Sequence, residues 1–354
     1  MGGGVLAWVL SHNSDCEPPL AVPADAPSMQ AVRYACYGDS DALVLARVAR
    51  PEPADDELLV RVHAAGVNPL DWHYMQGQPY IMRLSSGIGR QSSTLAGVDF
   101  SGVVEAIGVS VTKFQVGDRV FGARSGAFAE YLVVRESRAV MSMPANTSFE
   151  DAAAMPIAAV TALQAVRDAG RVGPGTRVLV NGASGGVGTY AVQIAKSLGA
   201  EVTGVSSGRN IELVRSLGAE HTIDYTQQDF TVGDKRYDVI IDNVGNRPLG
   251  AYRRALVDHG ILVMVTGPKS NRWLGPVARM LWARLSAPFV SQTHVSVLAD
   301  MNPQDLDVLR EMVEAGTLRS TIDRRFGLAE VAQAIDYLAQ GRTRGKNVIV
   351  MMQH

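Results

Sequence analysis

The 354-residue sequence predicts an α/β fold in which a doubly wound parallel sheet is accompanied by a second, β-rich domain. From about residue 170 onwards, short β-branched strands such as "TRVLVNG" and "YDVIIDNVG" alternate with helical segments. That alternation is typical of parallel βαβ units. Before about residue 149, apolar and polar residues alternate between glycine turns, as in "ELLVRVHAAGV". This second pattern indicates a compact barrel.

The order of these patterns sets the predicted domain boundaries. Residues 1–28 are interpreted as a flexible extension, because a short apolar run without a basic flank leads into the linker-like "EPPLAVPADAPS". Residues 29–152 and 298–354 are predicted to form the β-rich domain together, since the closing "KNVIVMM" has the character of one of its strands. Residues 153–297 are predicted to form the sheet domain between them.

The composition excludes several classes of partner. A formal net charge of -2 gives no reason to expect nucleic acid as a partner. No apolar run approaches the ~20 residues that a spanning helix needs, so no membrane span is predicted. Cys16 and Cys36 are too few for a disulfide framework or a four-thiolate zinc site. We therefore expect two reduced thiols in a cytoplasmic protein.

The stretch "NGASGGVG", residues 181–188, predicts a dinucleotide site. A strand precedes it and the helical "VGTYAVQIAKSLG" overlaps its end. In this setting glycines allow a tight turn and a close approach of the backbone to a pyrophosphate, which faces the N–H groups of the helix. The predicted loop comprises Gly182, Ala183, Ser184, Gly185, Gly186, Val187 and Gly188.

The end of the next strand predicts which cofactor binds. An NAD site usually has an acidic residue about 20 residues after the glycines, where it bonds the ribose 2′-hydroxyl. Here the stretch is "GVSSGRN", with Ser206, Ser207, Arg209 and Asn210 and no carboxylate before Glu212. Hydroxyls and a guanidinium suit a 2′-phosphate, so NADPH is predicted. The alternative is that Arg209 merely begins a helix in solvent.

Several ordered motifs resemble the medium-chain dehydrogenase/reductase superfamily, in its zinc-free, zeta-crystallin-like quinone oxidoreductase branch. From Met29 almost to the C-terminus they are "AAGVNPLDW", "GVDFSGVVEAIG", "VGDRVFG", "GAFAEYLVV", "NGASGGVGTYAVQIAKSLGAEV", "LGAEHTIDY" and "GKNVIV". The resemblance implies a Rossmann sheet domain and a GroES-like catalytic barrel. It also accounts for the glycine spacing, since the branch has A/G-x-x-G-x-x-G.

The resemblance implies a site without metal. The alcohol dehydrogenases of the superfamily have a cysteine where this chain has Asn68 and a histidine where it has Val98, and their cysteine-rich zinc lobe is missing here. A catalytic zinc needs about three N, S or O ligands. Interconversion of simple alcohols is disfavoured, because no Lewis acid is predicted to polarise the substrate.

The resemblance also assigns residues near the nicotinamide. It places Asn68 and Asp71 in the cleft, and His73 where the branch often has a tyrosine. Whether His73, Tyr74 or water supplies a proton is left open, as is a purely structural role for His73. Further cofactor contacts are expected from Thr161, Tyr225, Asn243, Val244 and Gly245, with Asp242 beside them at a strand end where ligands bind in open sheets.

The sequence thus predicts an enzyme, an NADPH-dependent reductase of quinones or α,β-unsaturated carbonyl compounds. Two alternatives stay open, a zinc-independent alcohol or ketone oxidoreductase and a low-turnover NADPH-binding protein of crystallin-like or redox-sensing type. A homodimer is expected through edge strands near "ILVMVTG" and "HVSVLAD". The segment "WLGPVARMLWARLSAPF" is interpreted as a substrate lid or dimer contact in preference to a membrane-surface helix.

Overall fold

The structure, a computed structural model, describes residues 2–16, 22–266, 271–286 and 290–351. In chain order its helices are α1 (Gly2–Ser11), α2 (Pro69–Gln76), α3 (Arg83–Ser86), α4 (Phe149–Ala153), α5 (Pro156–Leu163), α6 (Gly186–Ser197), α7 (Ile211–Ser216), α8 (Leu249–Ala255), α9 (Pro276–Ser286), α10 (Pro303–Glu314) and α11 (Val331–Ala339). Its strands are β1 (Ser28–Tyr34), β2 (Leu43–Ala49), β3 (Glu57–Val67), β4 (Asp99–Ile107), β5 (Arg119–Ala123), β6 (Tyr131–Arg135), β7 (Val140–Ser142), β8 (Arg177–Asn181), β9 (Glu201–Ser206), β10 (His221–Asp224), β11 (Tyr237–Asp242), β12 (Leu256–Met264), β13 (Thr293–Ser296), β14 (Ile322–Gly327) and β15 (Lys346–Val350).

The chain divides into two compact units. The first comprises Met1–Ile157, Met301–Glu314 and Ile322–His354, and the second comprises Ala158–Asp300 and Ala315–Thr321. The sequence placed the boundaries at 152/153 and 297/298, a few residues earlier in each case. It also gave the short 315–321 segment to the other domain.

The first unit is built on a mixed sheet with the strand order β14-β15-β3-β4-β5-β7, and β6 pairs with β3. The C-terminal strand β15 runs antiparallel to β3, with Asn347 opposite Val67 and Val350 opposite Ala64. Apolar side chains from several strands and from α2 and α11 fill the interior, among them Leu58, Met75, Phe100, Phe128 and Ile349. The last residues of the chain are therefore part of the first core.

The second unit is a parallel sheet with the order β10-β9-β8-β11-β12-β13. Chain order reverses between β8 and β11, and ligands bind in open α/β sheets at the carboxyl ends of the strands beside such a switch point. The glycine loop follows β8, and Asn243–Gly245 follows β11. The predicted fold class, a doubly wound sheet with a GroES-like barrel, is confirmed.

One part of the predicted dimer surface needs correction. The segment "ILVMVTG" lies mainly on β12, which pairs with β11 on one side and β13 on the other. The backbone N–H and C=O groups of β12 are hydrogen-bonded to β11 and β13, so β12 is not an edge strand. The end of the sheet on that side is β13.

Residues 7–16 differ from the predicted flexible extension. Leu10 is buried, and Asn13 forms a bridge with Gly89. Arg83, only 1% exposed, donates from Nη1 to the carbonyl oxygens of Leu10 (3.0 Å) and His12 (2.9 Å). A buried guanidinium needs such acceptors, and the N-terminal segment supplies them.

The expectation of two reduced thiols is also wrong in this structure. Cys16 and Cys36 form a disulfide that joins the N-terminal segment to the loop after β1, with 4.6 Å between the Cα atoms. The two residues are 20 positions apart in sequence, and only the packing of the segment brings them together. Within the described part of the chain, no helix combines the length and apolar character needed to cross a membrane.

Replacing Arg83 with Met should lower the free energy of unfolding by about 2–3 kcal/mol, because carbonyl oxygens of the N-terminal segment lose a charged donor. Chemical unfolding measures the change. The matched control is Arg138→Met, at an exposed position. Equal stability of the two variants would show that the segment contributes nothing through Arg83.

Candidate active site and cofactor site

Helix α2 positions the two residues that the sequence singled out first. Asn68 is the N-cap, where the extended backbone of β3 turns into the helix, and Pro69 occupies the first helical position. The Asn68 backbone N–H donates to Asp71 Oδ2 at 2.7 Å, half of a capping box. Asn68 and Asp71 are 1% and 0% exposed, so both side chains are held in the interior of the first unit.

Asn68 is the centre of a buried polar network. Its Nδ2 donates to Asp99 Oδ2 at 2.9 Å, and its Oδ1 accepts from Lys346 Nζ at 2.5 Å. Lys346 also lies 3.4 Å from Asp99 Oδ2. Asp99 Oδ1 accepts the backbone N–H of Ile157 at 3.0 Å. We call Asn68, Asp71, Asp99 and Lys346 the buried quartet.

Strand register explains why the quartet meets. Asp99, at the start of β4, lies opposite Gly66 on β3, and Asn347 of β15 lies opposite Val67. Asn68 follows directly after these β3 residues, and Lys346 directly precedes Asn347. Three neighbouring strands thus deliver an amide, a carboxylate and an ammonium to one place.

Burial and charge together set the protonation of the quartet. It contains one ammonium and two carboxyl groups. Burial raises the pKa of Asp71 to about 7, opposed by the Asn68 backbone N–H. Burial also raises the pKa of Asp99, although Lys346 opposes the rise, and burial lowers the pKa of Lys346 itself. Below about pH 7 Asp71 is therefore mostly neutral, and the Lys346 ammonium favours the charged form of Asp99.

Asp71 has an atom suited to carrying that proton. Oδ2 accepts from the Asn68 backbone, whereas the buried Oδ1 has no hydrogen-bond partner among the described residues. A buried oxygen without a donor is costly as a carboxylate and less so as a hydroxyl. Burial and then the charge of Asp71 raise the pKa of Tyr74. Burial and then the charge of Asp71 also raise the pKa of Tyr34.

His73 and Tyr74 follow on the same helix. His73 Nδ1 lies 2.8 Å from the carbonyl oxygen of Gln78, so Nδ1 carries a proton, because a carbonyl can only accept. Tyr74 is partly buried and packs against the core of the first unit. Both residues follow Asp71 closely in sequence, but their surroundings differ: His73 contacts the Gln78 carbonyl oxygen, whereas Tyr74 packs against the core. Their role in proton transfer stays a prediction.

Sequence reasoning did not single out Asp99 and Lys346. Their signal was available in "GVDFSG" and "GKNVIV", where a charged residue interrupts an apolar strand. Such a residue inside a strand that must be buried needs a partner of opposite charge. Neither motif indicates which partner, because the pair is 247 residues apart.

The residues present do not fit a catalytic zinc at Asn68. Its amide oxygen accepts from the Lys346 ammonium, and a metal cation there would face that positive charge. Val98 provides no ligand, and both cysteines are joined to each other. Among the described residues, no group of three or more His, Cys, Asp or Glu side chains is arranged to hold a metal.

The loop after β8 fits a dinucleotide. Gly182 has φ of 77°, a conformation that residues with a side chain rarely adopt. A Cβ at Gly188 would lie 2.0 Å from the Gly182 carbonyl oxygen, so the close packing of α6 on the loop requires glycine there. Helix α6 begins after its N-cap Gly185, and its first-turn N–H groups have no acceptor within the helix. These donors suit a pyrophosphate.

The loop after β9 is tied to the glycine loop. Asn210 Nδ2 donates to Ser184 Oγ at 3.1 Å and to Ser207 Oγ at 3.3 Å. Asn210 and Ser206 are buried, at 5% and 2% exposure, and Ser206 Oγ donates to the Ser207 carbonyl oxygen. Both side chains therefore stabilise the loop and present little surface to a ligand.

Arg209 and Tyr225 are the exposed members of the predicted phosphate site. Arg209 is exposed in the 3₁₀ turn Gly208–Asn210. The side chain of Tyr225 is exposed, while its backbone N–H donates to the Ser206 carbonyl oxygen. Sequence reasoning did not weigh Asp224, which precedes Tyr225. The N–H and hydroxyl of Thr226 and the N–H of Gly208 lower the pKa of Asp224 and keep it charged.

The loop after β11 is held by Asp242. This fully buried carboxylate accepts from Asn181 Nδ2 (2.9 Å) and from the backbone N–H of Gly245 (3.0 Å), and it pairs with Arg279 Nη1 at 2.9 Å. Asp242 therefore positions the Asn243–Gly245 loop and is not itself directed at a ligand. A Cβ at Gly182 would meet Val244 Cγ2 at 2.8 Å, so this loop adjoins the glycine loop. Thr161 lies buried on α5.

Comparison with known proteins agrees with this arrangement. A family model described as alcohol dehydrogenase GroES-like domain matches residues 54–145, and one described as zinc-binding dehydrogenase matches residues 217–349. A chloroplastic quinone-oxidoreductase homolog of Spinacia oleracea is 32% identical, covering 91% of this chain and 98% of the relative. A quinone oxidoreductase of Pseudomonas aeruginosa is also 32% identical, over 90% and 98%.

Solved structures give the same result. The structure of the quinone oxidoreductase from Coxiella burnetii superimposes with a TM-score of 0.79 at 30% identity, covering 92% of this chain and 100% of that one. The chain belongs to the medium-chain dehydrogenase/reductase superfamily, in its quinone oxidoreductase branch. It is an oxidoreductase, and the family implies a nicotinamide cofactor.

Replacing Lys346 with Met should lower the free energy of unfolding by about 3–5 kcal/mol, because Asp99 becomes a buried charge without a partner. The control Lys196→Met breaks an exposed pair with Glu220 and should cost less than about 1 kcal/mol. The double variant Lys346→Met/Asp99→Asn should recover part of the loss. Equal losses in the two single variants would contradict the assigned charge pairing.

Replacing Asp71 with Asn should change how stability depends on pH. Between about pH 4 and pH 7 the unfolded chain has lost the Asp71 proton while the folded chain retains it. The wild type therefore loses stability relative to the variant as the pH rises through this window. Chemical unfolding of both proteins at several pH values measures the difference. A wild-type advantage that grows with pH would mean that Asp71 is ionised in the fold.

Proposed function

We propose that the protein is an NADPH-dependent reductase that transfers a hydride to quinones or α,β-unsaturated carbonyl compounds without a metal. The observation that carries the proposal is the buried quartet, which puts an ammonium where related dehydrogenases of the superfamily would need a metal ligand set. Relatives' names support the substrate class. Besides the quinone oxidoreductases, a 2-methylene-furan-3-one reductase of Solanum lycopersicum is 31% identical, covering 93% of this chain and 80% of the relative.

The second unit supplies the residues that would hold the cofactor. The loop from Gly182 to Gly188 and the first turn of α6 would bind the pyrophosphate, and the Asn243–Gly245 loop would flank it. Ser207, Arg209 and Tyr225 would face the 2′-phosphate. Ser206 and Asn210 are buried and would position this loop from the interior of the second unit. NADPH, when bound, supplies the hydride.

The first unit would prepare the acceptor. Addition of hydride to an enone or quinone gathers negative charge on the carbonyl oxygen, and donors fixed in advance stabilise such charge. Asn68 and Asp71 are fixed by the capping box and by the quartet. His73 and Tyr74 are the candidate proton donors, with water as the alternative. Burial and the charge of Asp71 both raise the pKa of Tyr74, so its phenol stays protonated.

The direct test is oxidation of NADPH in the presence of quinones, enones and simple ketones, with and without a chelator. The proposal expects turnover with a quinone or an enone, unaffected by the chelator. Turnover confined to ketones and alcohols would favour a zinc-independent alcohol oxidoreductase. Tight NADPH binding without turnover of any acceptor would favour a crystallin-like or redox-sensing protein. Loss of activity on chelation would overturn the metal-free assignment.

Replacing Arg209 with Ala should weaken NADPH binding by about 10- to 150-fold, because a charge-assisted contact contributes roughly 1.5–3 kcal/mol. NADH binding should be nearly unchanged, since NADH has no 2′-phosphate. Fluorescence titration with both cofactors measures the two constants. Arg236→Ala, at a partly exposed position of the same unit, is the control. Equal weakening toward NADH, or no effect on either cofactor, would show that the phosphate lies elsewhere.

Assembly and location are further parts of the proposal. A homodimer is proposed through the exposed side of β13, the end strand of the parallel sheet. The predicted cytoplasmic location stays a prediction, and the Cys16–Cys36 disulfide weighs against it, because disulfides persist mainly in oxidising compartments.

A further inference from the structure

Helix α9 and the residues just before it expose an unusual amount of apolar surface. Trp282 is 69% exposed and Leu285 is 66% exposed. The other exposed apolar residues of this surface are Trp273, Leu274, Met280 and Leu281. We call these six residues the α9 surface. Clusters of exposed large apolar side chains mark interaction sites in soluble proteins.

The helix is held firmly by its opposite face. Arg279 and Ala283, four residues apart, point inward: Ala283 is buried, and the Arg279 guanidinium pairs with the buried Asp242. The same guanidinium lies 5.0 Å from the ring centroid of Tyr252. Leu281 and Leu285, also four apart, therefore point outward. This anchoring argues against the lid that the sequence suggested, because a lid must separate from what holds it.

The charge of the segment indicates what covers the surface. Between residues 266 and 289 the sequence has Lys269, Arg272, Arg279 and Arg284 and no acidic residue. Arg272 and Arg284 are exposed beside the α9 surface. Two copies meeting through this face would bring like charges together, which disfavours a self-contact. The basic residues are not explained by a substrate contact either, because a quinone or an enone is uncharged.

We propose that the α9 surface docks the protein on an anionic lipid bilayer. Trp and Leu side chains enter the boundary between headgroups and acyl chains, and flanking arginines contact anionic headgroups. The Arg279–Asp242 pair holds the helix so that its apolar face lies along the bilayer plane. The proposal concerns binding and does not rest on the proposed reductase activity.

Vesicle flotation tests the proposal with the full-length protein. Vesicles of phosphatidylcholine alone are compared with vesicles that also contain phosphatidylglycerol. We expect binding to the anionic vesicles, weakened by salt, and little binding to the neutral ones. Fluorescence of Trp273 and Trp282 should shift to the blue on binding, as tryptophan leaves water.

Two variants separate the apolar and the charged contribution. Arg272→Glu/Arg284→Glu should lower partitioning to anionic vesicles at least about 25-fold, since each basic residue near such a surface contributes roughly fivefold. Leu281→Ser/Trp282→Ser should lower partitioning to the anionic vesicles and reduce the remaining shift of Trp273. Matched controls are Arg138→Glu/Arg254→Glu and Val109→Ser/Val116→Ser, at exposed positions elsewhere. Unchanged NADPH binding and thermal stability show that each variant is folded.

Three results would overturn the proposal. The first is no binding of the wild type to anionic vesicles at low salt. The second is equal binding by the α9 variants and their controls. The third is loss of a dimer, measured by light scattering, in the α9 variants without any change in vesicle binding. That result would make the surface a contact between two copies.

Discussion

The contact between the Lys346 ammonium, the Asn68 amide and the Asp99 carboxylate is the constraint on which the first unit depends. Each group comes from a different strand or its end, and all are almost fully buried. Charges in such a place are costly unless they are paired and hydrogen-bonded, so the strands can adopt only the register that brings them together. The C-terminal strand is fixed in the barrel by the same contact that fixes Asn68.

The second unit uses the same physical device. Asp242 is a buried carboxylate that receives donors from Asn181, from the loop after β11 and from Arg279 of α9. It therefore joins the two strand ends at the switch point to the helix with the exposed apolar surface. In each unit one buried carboxylate, Asp99 in the first and Asp242 in the second, positions the loops of the candidate site. Other residues would contact the ligand.

Local features could be predicted from the sequence. The glycine loop and the parallel strands depend on residues close in sequence, whose turn and periodicity preferences are strong. The Cys16–Cys36 disulfide, the Arg83 contacts and the partner of Lys346 could not be predicted in this way, because packing between distant segments decides them. The N-terminal segment was misjudged for the same reason: the composition of "EPPLAVPADAPS" indicates disorder, whereas Arg83, 70 or more residues away in sequence, holds the residues from Leu10 to Asn13 in place.

The central claim is that the buried quartet holds Asn68 and Asp71 in place for hydride transfer. It is tested most directly by rapid mixing of the Lys346→Gln variant with NADPH, or with NADPH deuterated at the transferred position, and a soluble quinone. The hydride-transfer rate should fall at least about tenfold with the isotope effect retained, because small misplacements of site residues are costly. The NADPH dissociation constant should stay within about twofold, since the cofactor residues lie in the other unit. An unchanged hydride-transfer rate in a folded variant would contradict the claim.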